Sequence, residues 1–353
     1  MSLISFQGAP AQAAGAGESA KTANCQLPPG TLTPVDLPPG ASVIDCGAVG
    51  RVVEDGGAGL TIPEPGNGVT ISTLMANGDS VEFALQVDDA GVISYNSPSG
   101  VDPATGVDTP QPAPPADPVD PPGTPDTPDD EQDVPPAGST PIPDTDAAAA
   151  PGACSTSAYN LMRWKEYGTY TWYIGDGGMP AGLSRTAAKD AFADAINNIT
   201  GGSNNCGIVN LAGPRSSYGG TTSLEADISN HNTCTARDKK STWDAGDLIA
   251  GAVASACTWT KLQGPSYADV IEADVRFNTA DHNFTNNPST GCNNKYDVRS
   301  VGTHEAGHVF GLDHVTGSTN QNQTMYTNSF PCTTKARTLA RGDMNGLRAI
   351  YMS

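Results

Sequence analysis

One stretch of the chain carries residue types at a spacing that can do chemistry. Residues 301–315 read VGTHEAGHVFGLDHV and contain the pattern H-E-x-x-H-x-x-G-x-x-H. His304 and His308 are four residues apart, so on a helix both rings lie on one face, one turn apart. Two imidazoles in that arrangement can hold one Zn²⁺ ion. The stretch is therefore the first candidate for a chemical site.

The other positions of the motif favour a catalytic zinc ion over a structural one. Glu305, beside the two histidines, can polarise a water molecule. Gly311 can end the helix in a left-handed conformation, after which His314 can return as a third ligand. Three protein ligands leave the fourth position open for water. Two histidines on a surface helix, the plain alternative, would not need this extended pattern. The pattern thus predicts zinc ligands at His304, His308 and His314, with Glu305 as general base.

Helical and strand patterns surround the motif in residues 153–353. A helix of about residues 296–311 should carry the two paired histidines. Apolar residues recur at helical spacing in residues 185–199 after Ser184, a good N-cap, and a last helix is predicted for residues 337–351. Strands are predicted for residues 169–174, 208–211 and 268–278. Residues 247–256 are small and apolar, and fit either a strand or a helix.

Residues 25–97 predict a small β-rich domain. Glycine- and proline-containing turns separate short β-type runs, and residues 81, 83, 85 and 87 alternate as apolar positions with polar or small ones. The expected strands are residues 41–44, 68–74, 80–87 and 91–95. A disulfide between Cys25 and Cys46 would hold the domain. Its role stays open between a pro-segment, a surface-binding module and a spacer.

A linker is expected at residues 98–152. Residues 101–150 contain 14 prolines and 11 acidic residues, and no Lys, Arg or aromatic residue. Such a segment cannot bury apolar surface and should be disordered and extended. Residues 1–24 are expected to be a flexible N-terminus or the remnant of a leader, because APAQAAGA resembles the small-residue end of a secretory signal.

The charge of the chain is unevenly distributed. Of the net charge of −20, −19 lies in residues 1–152 and −1 in residues 153–353. No basic stripe exists to neutralise phosphates, so nucleic acid is excluded as the expected partner. The chain contains no run of 18 apolar residues, so no membrane span is predicted. We expect a monomer whose partner is a protein or peptide substrate.

Eight cysteines are scattered through the chain without any C-x-x-C pair. That spacing disfavours a cysteine-ligated zinc or iron–sulfur site. An even number of scattered cysteines favours disulfides formed in an oxidising compartment. The protein is accordingly expected to be secreted or extracellular, with association with the cell surface as a further option.

With these motifs the chain resembles the metzincin clan of zinc metallopeptidases, most closely a bacterial-type matrixin catalytic domain of the M10-like peptidases. The segment YDVRSVGTH at residues 296–304 is similar to the start of a matrixin zinc helix, and residues 343–351 to the last matrixin helix. The resemblance implies an α+β fold with a twisted mixed sheet, three main helices, a zinc helix and a Met-turn. This catalytic domain would be preceded by the small β-rich domain and the disordered linker.

The resemblance also implies further site residues. Thr324-Met325-Tyr326 is similar to the Met-turn, whose methionine lies beneath the zinc. Residues 272–278 resemble the edge strand on which metzincins lay their substrate, which adds these candidates: Ala273, Asp274, Val275, Arg276 and Phe277. Val315 stands where matrixins usually have Ser or Thr, and Thr327 where astacins and serralysins have a zinc-binding Tyr. The clan is therefore better supported than the family.

Matrixin proenzymes cap their zinc with a propeptide Cys beside Gly, and Cys46-Gly47 offers that dipeptide. The flanking Pro-Arg and Pro-Asp of that motif are missing. The even number of cysteines favours the Cys25–Cys46 disulfide instead. A second disulfide, Cys292 with Cys332, would brace the segments before the zinc helix and after the Met-turn.

The two remaining histidines, His231 and His282, are expected in surface loops, since the ligand set of the structural zinc in vertebrate matrixins is incomplete here. Asp- and Asn-rich loops could hold structural Ca²⁺, although no EF-hand loop occurs. Zinc, one catalytic ion per chain, is the cofactor that the motif requires.

Three functions compete on this basis. The first is a secreted zinc-dependent endopeptidase that hydrolyses peptide bonds. The alternative is an extracellular surface-binding or adhesion protein with a degenerate or non-proteolytic zinc domain, and a third is a zinc hydrolase with a substrate other than protein. The intact Glu305 argues against degeneration, because a purely structural metal site would not need it.

Overall fold

The computed structural model describes residues 25–37, 40–78, 80–98, 152–209, 213–263, 267–288 and 291–352. Residues 1–24 and nearly all of the expected linker 98–152 lie outside the described residues. The strands before the linker are β1 Val52–Asp55, β2 Ala58–Thr61, β3 Asn67–Met75, β4 Val81–Val87 and β5 Ile93–Asn96.

The part after the linker contains three α-helices interspersed with strands. The helices are α1 Arg185–Thr200, α2 Val298–Val309 and α3 Arg341–Tyr351. The strands are β6 Asn160–Leu161, β7 Trp164–Lys165, β8 Tyr170–Ile174, β9 Ser216–Thr221, β10 Thr233–Cys234, β11 Ser241–Gly246, β12 Ala252–Lys261, β13 Ala268–Asn278, β14 Asn283–Thr285, β15 Lys295–Asp297 and β16 Leu312–Asp313.

One large mixed sheet organises the molecule. Its strand order is β5-β4-β3-β12-β13-β11-β8-β9, with β7 paired to β13 off this path. Strands β11 and β8 run parallel to their neighbours, whereas β12 runs antiparallel to β13 and to β3. The mixed sheet with three helices fits the expected α+β metzincin-like fold.

Helices α1 and α2 pack on each other and on the sheet. α1 begins after Ser184, whose hydroxyl accepts a hydrogen bond from the Ala187 N–H at 3.3 Å. The buried face of α1 is the one that its periodicity predicted: Ala188, Ala191, Phe192, Ala195, Ile196 and Ile199. A Cβ at Gly302 of α2 would lie 3.0 Å from the Ala195 Cβ, so glycine permits this close helix contact.

The N-terminal strands continue the large mixed sheet, so a separate small β-domain is not confirmed. All nine residues of β3 lie within its pairing with β12, and β2 pairs with β10. The two parts also share one apolar core, in which Leu60, Ile71 and Phe83 pack together with Cys257 and Trp259. Strand order is decided by contacts distant in sequence, which local patterns do not report.

All eight cysteines form disulfides: Cys25–Cys46, Cys154–Cys206, Cys234–Cys257 and Cys292–Cys332. Both pairs that the sequence suggested are therefore confirmed. The alternative in which Cys46 caps a zinc ion is wrong, because its sulfur is bonded to Cys25.

Several local predictions need correction. Residues 41–44 make only a single bridge, Ser42 with Val92, because the chain turns there. Of residues 247–256, residues 252–256 form the start of β12 and residues 247–251 form the turn before it, and the last helix begins at Arg341 after a short 3-10 turn. Residues 208–209 are not in a strand, and the rest of the expected strand 208–211 lies outside the described residues. No helix in the described part of the chain is long and apolar enough to cross a membrane.

Candidate metal centre

Helix α2 presents His304 and His308 on one face, and a buried ion pair holds the start of that helix. The Asp297 carboxylate, the N-cap of α2, accepts hydrogen bonds from the Ser300 N–H and hydroxyl at 2.9 and 2.8 Å. The Arg337 guanidinium donates to both oxygens of the same carboxylate at 2.7 Å. Both charged side chains are almost fully buried. The helix is thereby fixed in position about two turns before the first histidine.

A tight turn after α2 returns the chain to the third histidine. Gly311 adopts a φ of +95°, and a Cβ there would lie 2.4 Å from the Trp164 carbonyl oxygen. No L side chain fits this position, which explains the glycine of the motif. The chain then pairs as β16 with β6, and the Asn160 amide donates to the His314 carbonyl at 2.8 Å. His314 is held opposite α2 as a result.

The three histidines converge on one point. The Nε2–Nε2 distances are 3.0 Å for His304 and His314, 3.1 Å for His308 and His314, and 3.2 Å for His308 and His304. Zinc at about 2.0–2.1 Å from each nitrogen in a tetrahedral site would separate these atoms by roughly 3.3 Å. The arrangement therefore fits a zinc ion with three imidazole ligands.

The outer ring nitrogens establish which atoms can bind a metal. His304 Nδ1 lies 2.7 Å from the Thr324 carbonyl oxygen, and His308 Nδ1 lies 3.0 Å from that of Leu312. A carbonyl oxygen only accepts, so both Nδ1 atoms carry the hydrogen and both Nε2 atoms carry lone pairs. Lone pairs aimed at each other need a cation between them. The donor set itself thus calls for a metal.

Burial keeps these histidines in the neutral form that binds metal. The three residues are almost fully buried: His304 is 2% exposed, His308 0% and His314 6%. Burial lowers the pKa of His304 to about 4, and burial together with the neighbouring imidazoles lowers the pKa of His308 and His314 well below the usual value. Protons would compete for the ring nitrogens only under acidic conditions.

Glu305 is the most unusual polar residue of the centre. It is fully buried, and neither carboxylate oxygen has a hydrogen-bond partner among the described residues. Burial raises its pKa well above the usual value. A buried carboxyl group without partners is costly, so such a group marks a functional role rather than a structural one.

Met325 packs directly against the zinc helix. Its sulfur would lie 2.2 Å from a Cβ at Gly307, so the glycine between the motif histidines makes room for the methionine. Backbone hydrogen bonds between Val315 and the segment Met325–Thr327 close the turn. The Thr324 carbonyl at the same turn orients His304. These contacts fit the part that the family resemblance implied for Met325.

Asp343 fixes the Met-turn, a role that sequence reasoning missed. Its carboxylate accepts hydrogen bonds from the N–H groups of Thr324 (2.9 Å), Met325 (3.2 Å) and Ala340 (2.8 Å). It is 1% exposed, and burial raises its pKa. The residue belongs to the last helix, whose likeness to a matrixin was noted, but nothing local pointed to the contact with residues 324–325.

The predicted substrate strand is placed differently from the expectation. Ala273, Asp274, Val275, Arg276 and Phe277 lie in β13, which pairs with β12 on one side and with β11 on the other. All five are buried. The structure does not place them on an edge strand, because β13 lies between β12 and β11 inside the sheet.

These five residues have structural contacts instead. Arg276 donates to both carboxylate oxygens of Asp244 at 2.7 and 2.8 Å. Phe277 stacks on Phe192 of α1 with ring centroids 5.3 Å apart. The strand therefore contributes to the core and to a buried ion pair.

The two other histidines lie away from the centre. His231 is exposed, as expected, whereas His282 is half-buried with its ring against Tyr296 at 5.2 Å. Burial lowers the pKa of His282. Neither belongs to the three-histidine group.

Comparison with known proteins agrees with this geometry. Residues 222–352 match the family model described as Matrixin, a match that includes the zinc motif, the Met-turn segment and α3. No curated protein matched the chain. The match, together with the mixed sheet and the three converging histidines, identifies residues 222–352 as part of a matrixin-like metzincin catalytic domain.

Proposed function

We propose that the protein is a secreted zinc-dependent endopeptidase. The observation that carries the proposal is the combination of three converging imidazole Nε2 atoms and one buried, unpartnered carboxyl group, Glu305. Matrixins are zinc-dependent metallopeptidases, and the family match supports that chemistry. A purely structural site would use a fourth protein ligand and would not require the carboxyl group.

Each residue then has a part in peptide hydrolysis. Bound zinc supplies Lewis-acid polarisation of the substrate carbonyl and increases the acidity of water. His304, His308 and His314 hold the ion through Nε2. Glu305 accepts a proton from the attacking water and delivers it to the leaving amine. Met325 shapes the floor of the site by packing.

The experiment that tests the proposal separates metal binding from proton transfer. Glu305→Gln should keep about one zinc ion per chain and lose at least about 10²-fold in kcat/KM for a peptide substrate, because general acid–base catalysis contributes about 10²–10⁴-fold. His231→Gln, an exchange of an exposed residue, is the matched control. Undiminished hydrolysis by Glu305→Gln would overturn the assignment.

The competing functions differ in what they predict for a chelator. An endopeptidase digests casein or gelatin, and a chelator stops the digestion. An adhesion protein with a degenerate domain digests neither substrate, with or without zinc. A zinc hydrolase of another class would bind zinc and depend on Glu305, but would leave both protein substrates intact.

The extracellular location rests on redox chemistry. Four disulfides use every cysteine of the chain, which is typical of proteins from oxidising compartments. We therefore propose secretion, and a monomer as the working state. Detection of the mature protein in the medium, and its mass in solution, test these two statements.

We also propose that a structural Ca²⁺ ion binds at a separate cluster of three carboxylate side chains. Carboxylate oxygens of Asp227, Glu272 and Asp274 lie within 4.8 Å of one another. One oxygen of Asp274, which is fully buried, has no partner among the described residues, and burial raises its pKa. Calcium prefers such oxygen ligands. Calcium should raise the Tm of the zinc-loaded protein but not that of Asp274→Asn, and an equal rise in both would contradict the site.

A further inference from the structure

The three histidines differ in what their outer ring nitrogens contact. Nδ1 of His304 and Nδ1 of His308 each lie against a backbone carbonyl oxygen, at 2.7 and 3.0 Å. Nδ1 of His314 is buried and has no hydrogen-bond partner among the described residues. Because Nε2 of His314 faces the other two rings, Nδ1 carries the ring hydrogen when a metal is bound. The third ligand therefore has a buried donor that still requires an acceptor.

An acceptor at this position matters for the metal. Imidazoles that bind a metal generally donate their other ring N–H to a carboxylate, a carbonyl or a water molecule, which fixes the ring and increases its basicity. His314 is only 6% exposed, so bulk solvent does not serve its ring. A buried N–H without an acceptor costs about 1–3 kcal/mol. The polar side chains around the ring are therefore the expected source of the acceptor.

Two carboxyl groups lie beside the ring of His314. Carboxylate oxygens of Glu82 and Asp313 and a ring nitrogen of His314 all lie within 4.8 Å of one another. Since Nε2 belongs to the metal centre, Nδ1 is the ring atom that these oxygens can serve. Two hydrogen bonds of about 2.8 Å that meet at one water molecule span roughly 4.6 Å. The spacing fits a single water molecule between the ring N–H and a carboxylate oxygen.

Asp313 is held firmly next to this ring. It belongs to β16, which pairs with β6, and it directly precedes His314 in the chain. Oδ1 of Asp313 accepts a hydrogen bond from the backbone N–H of His314 at 2.5 Å. The residue is 9% exposed. A carboxylate fixed in this way has little freedom to turn away from the imidazole.

Glu82 of β4 contacts Asp313 from a distant part of the chain. The carboxyl groups of the two residues are hydrogen-bonded to each other. Burial, together with the neighbouring Asp313, raises the pKa of Glu82 well above its usual value, so Glu82 carries the hydrogen and donates it. The side-chain amide of Asn96 in β5 donates to Oε1 of Glu82 at 3.3 Å. Asp313 is accordingly the charged member of the pair.

A cavity of about 350 Å³ adjoins the carboxyl pair. Glu82, Asp313, Gln86 and Asn96 are among its lining residues, and the described lining includes none of the three histidines. The cavity is polar on this side and large enough for ordered water. It provides room for a bridging water molecule without opening the imidazole of His314 to bulk solvent.

We propose that Asp313, braced by Glu82, positions the zinc ligand His314 by accepting the hydrogen of its Nδ1 through one water molecule. The proposal rests on the zinc site of the proposed function and does not depend on peptide hydrolysis. It makes Asp313 and Glu82 positioning residues, which act on the metal through His314. A negatively charged acceptor increases the basicity of the imidazole and so strengthens zinc binding.

The zinc affinity of the full chain is the first measurement. Asp313→Asn removes the charge and keeps the size of the side chain, and loss of such a partner weakens metal binding about 10–100-fold. Competition with a chromophoric chelator should show this rise in the Kd for zinc. Asp88→Asn is the matched control, because Asp88 is exposed in the turn after β4 and also accepts backbone hydrogen bonds. Its Kd should equal that of the unmodified chain.

Substitutions of Glu82 separate positioning from a general loss of stability. Glu82→Gln keeps an N–H donor for Asp313 and an oxygen for Asn96, so zinc affinity should be retained. Glu82→Leu removes the donor, and zinc affinity should fall in the same direction as in Asp313→Asn. In the double variant the two losses should not add, because both act through one contact. Additive losses would overturn the bracing role of Glu82.

A signal from the ring itself provides a readout that a purely structural effect would not change selectively. With ¹⁵N-labelled histidine, the zinc-loaded unmodified protein should show an Nδ1–H signal of His314 that is protected from exchange with solvent. In Asp313→Asn this signal should shift and exchange faster. The signals of His304 and His308, which donate to carbonyl oxygens, should stay unchanged. An unchanged His314 signal in Asp313→Asn would overturn the contact.

The outcomes distinguish this proposal from the proposed function. An unchanged Kd for zinc in Asp313→Asn, with normal peptide hydrolysis, would overturn the positioning role and leave the peptidase intact. A weakened zinc site with the expected change at His314, but without hydrolysis by the unmodified chain, would support the positioning role and overturn the peptidase. Urea unfolding of the metal-free proteins reports any change in stability separately from both.

Discussion

Two groups of buried polar side chains surround the zinc helix, and they differ in how well their atoms are satisfied. The anchoring carboxylates, Asp297 and Asp343, accept hydrogen bonds from an arginine, a hydroxyl and backbone N–H groups. The metal centre contains Glu305 without any partner among the described residues and Nε2 lone pairs that face one another. Both groups are equally buried.

The difference separates architecture from chemistry. A buried carboxylate with all its hydrogen bonds stabilises the fold and positions its neighbours. A buried carboxyl group without them costs stability, and is retained where a reaction uses it. Removal of the carboxyl group should consequently lower stability in the first group and raise it in the second, which gives the comparison a direct test.

Loss of a metal ligand should give the largest effect. His308→Ala removes one of three nitrogen ligands, and we expect zinc content to fall from about one ion per chain to near zero, with peptide hydrolysis below detection. Metal analysis after desalting measures the zinc content, and cleavage of a fluorogenic peptide measures the hydrolysis. His231→Ala should change neither. Full zinc content in His308→Ala would break the assignment of the centre.

Removal of an anchoring carboxylate should mainly reduce stability. Asp343→Ala leaves the N–H groups of Thr324, Met325 and Ala340 without their acceptor, so the free energy of unfolding should fall by about 3–5 kcal/mol. Urea unfolding of the metal-free protein measures this fall. Asp343→Asn keeps one acceptor oxygen and should lose less. Equal stability of Asp343→Ala and the unmodified protein would contradict the anchoring role.

Removal of the unpartnered carboxyl group should raise stability. Glu305→Leu replaces a buried polar group by an apolar one of similar size, so the metal-free protein should gain about 1–3 kcal/mol. Because burial raises the folded-state pKa of Glu305 above 4.5, its contribution to stability is present at low pH and lost as pH rises above 4.5.

The gain from Glu305→Leu should therefore be larger at pH 7.5 than at pH 4.5. Chemical unfolding of the metal-free variant and the metal-free parent at both pH values measures it. Destabilisation at pH 7.5 of the size expected for Asp343→Ala would erase the distinction between the two groups.

The smallest effect is expected where the polar contact is partly exposed. Asp194 of α1 pairs with Arg299 of α2 at 2.7 Å, and the two side chains are 26% and 18% exposed. Solvent screens such pairs, so Asp194→Ala should lower the free energy of unfolding by no more than about 1 kcal/mol. Asp190→Ala, on the same helix at a more exposed pair, is the control and should cost less.

The chemistry of the site is largely readable from the sequence because the motif is local. His304, Glu305 and His308 are on one helix, and the glycine and third histidine follow within a single turn. The anchors are not readable in this way. Asp343 acts on residues 18 and 19 positions earlier, and Arg337 pairs with Asp297 across 40 positions. Such contacts depend on the tertiary fold.

Individual elements of the fold are also predictable, whereas their neighbours are not. The apolar periodicity of residues 185–199 identified the buried face of α1. Strands were also predicted for residues 68–74 and 80–87, which lie in β3 and β4 almost entirely. Nothing in residues 67–75 states that their partner lies at residues 252–261, nor that β13 is interior. Pairing between distant strands is chosen by packing and register, and local composition does not encode it.

The chain order of β3 and β12 has a consequence for how the protein is made. Met75 ends β3, and β12 begins at Ala252, 177 residues later. At synthesis rates of about 5–20 residues per second, β3 exists roughly 10–35 s before β12, the strand with which it pairs. His304, His308 and His314 follow later still. β3 is therefore already available when β12 and the three histidines are made, so the sheet can assemble with its final strand order as soon as the metal centre forms.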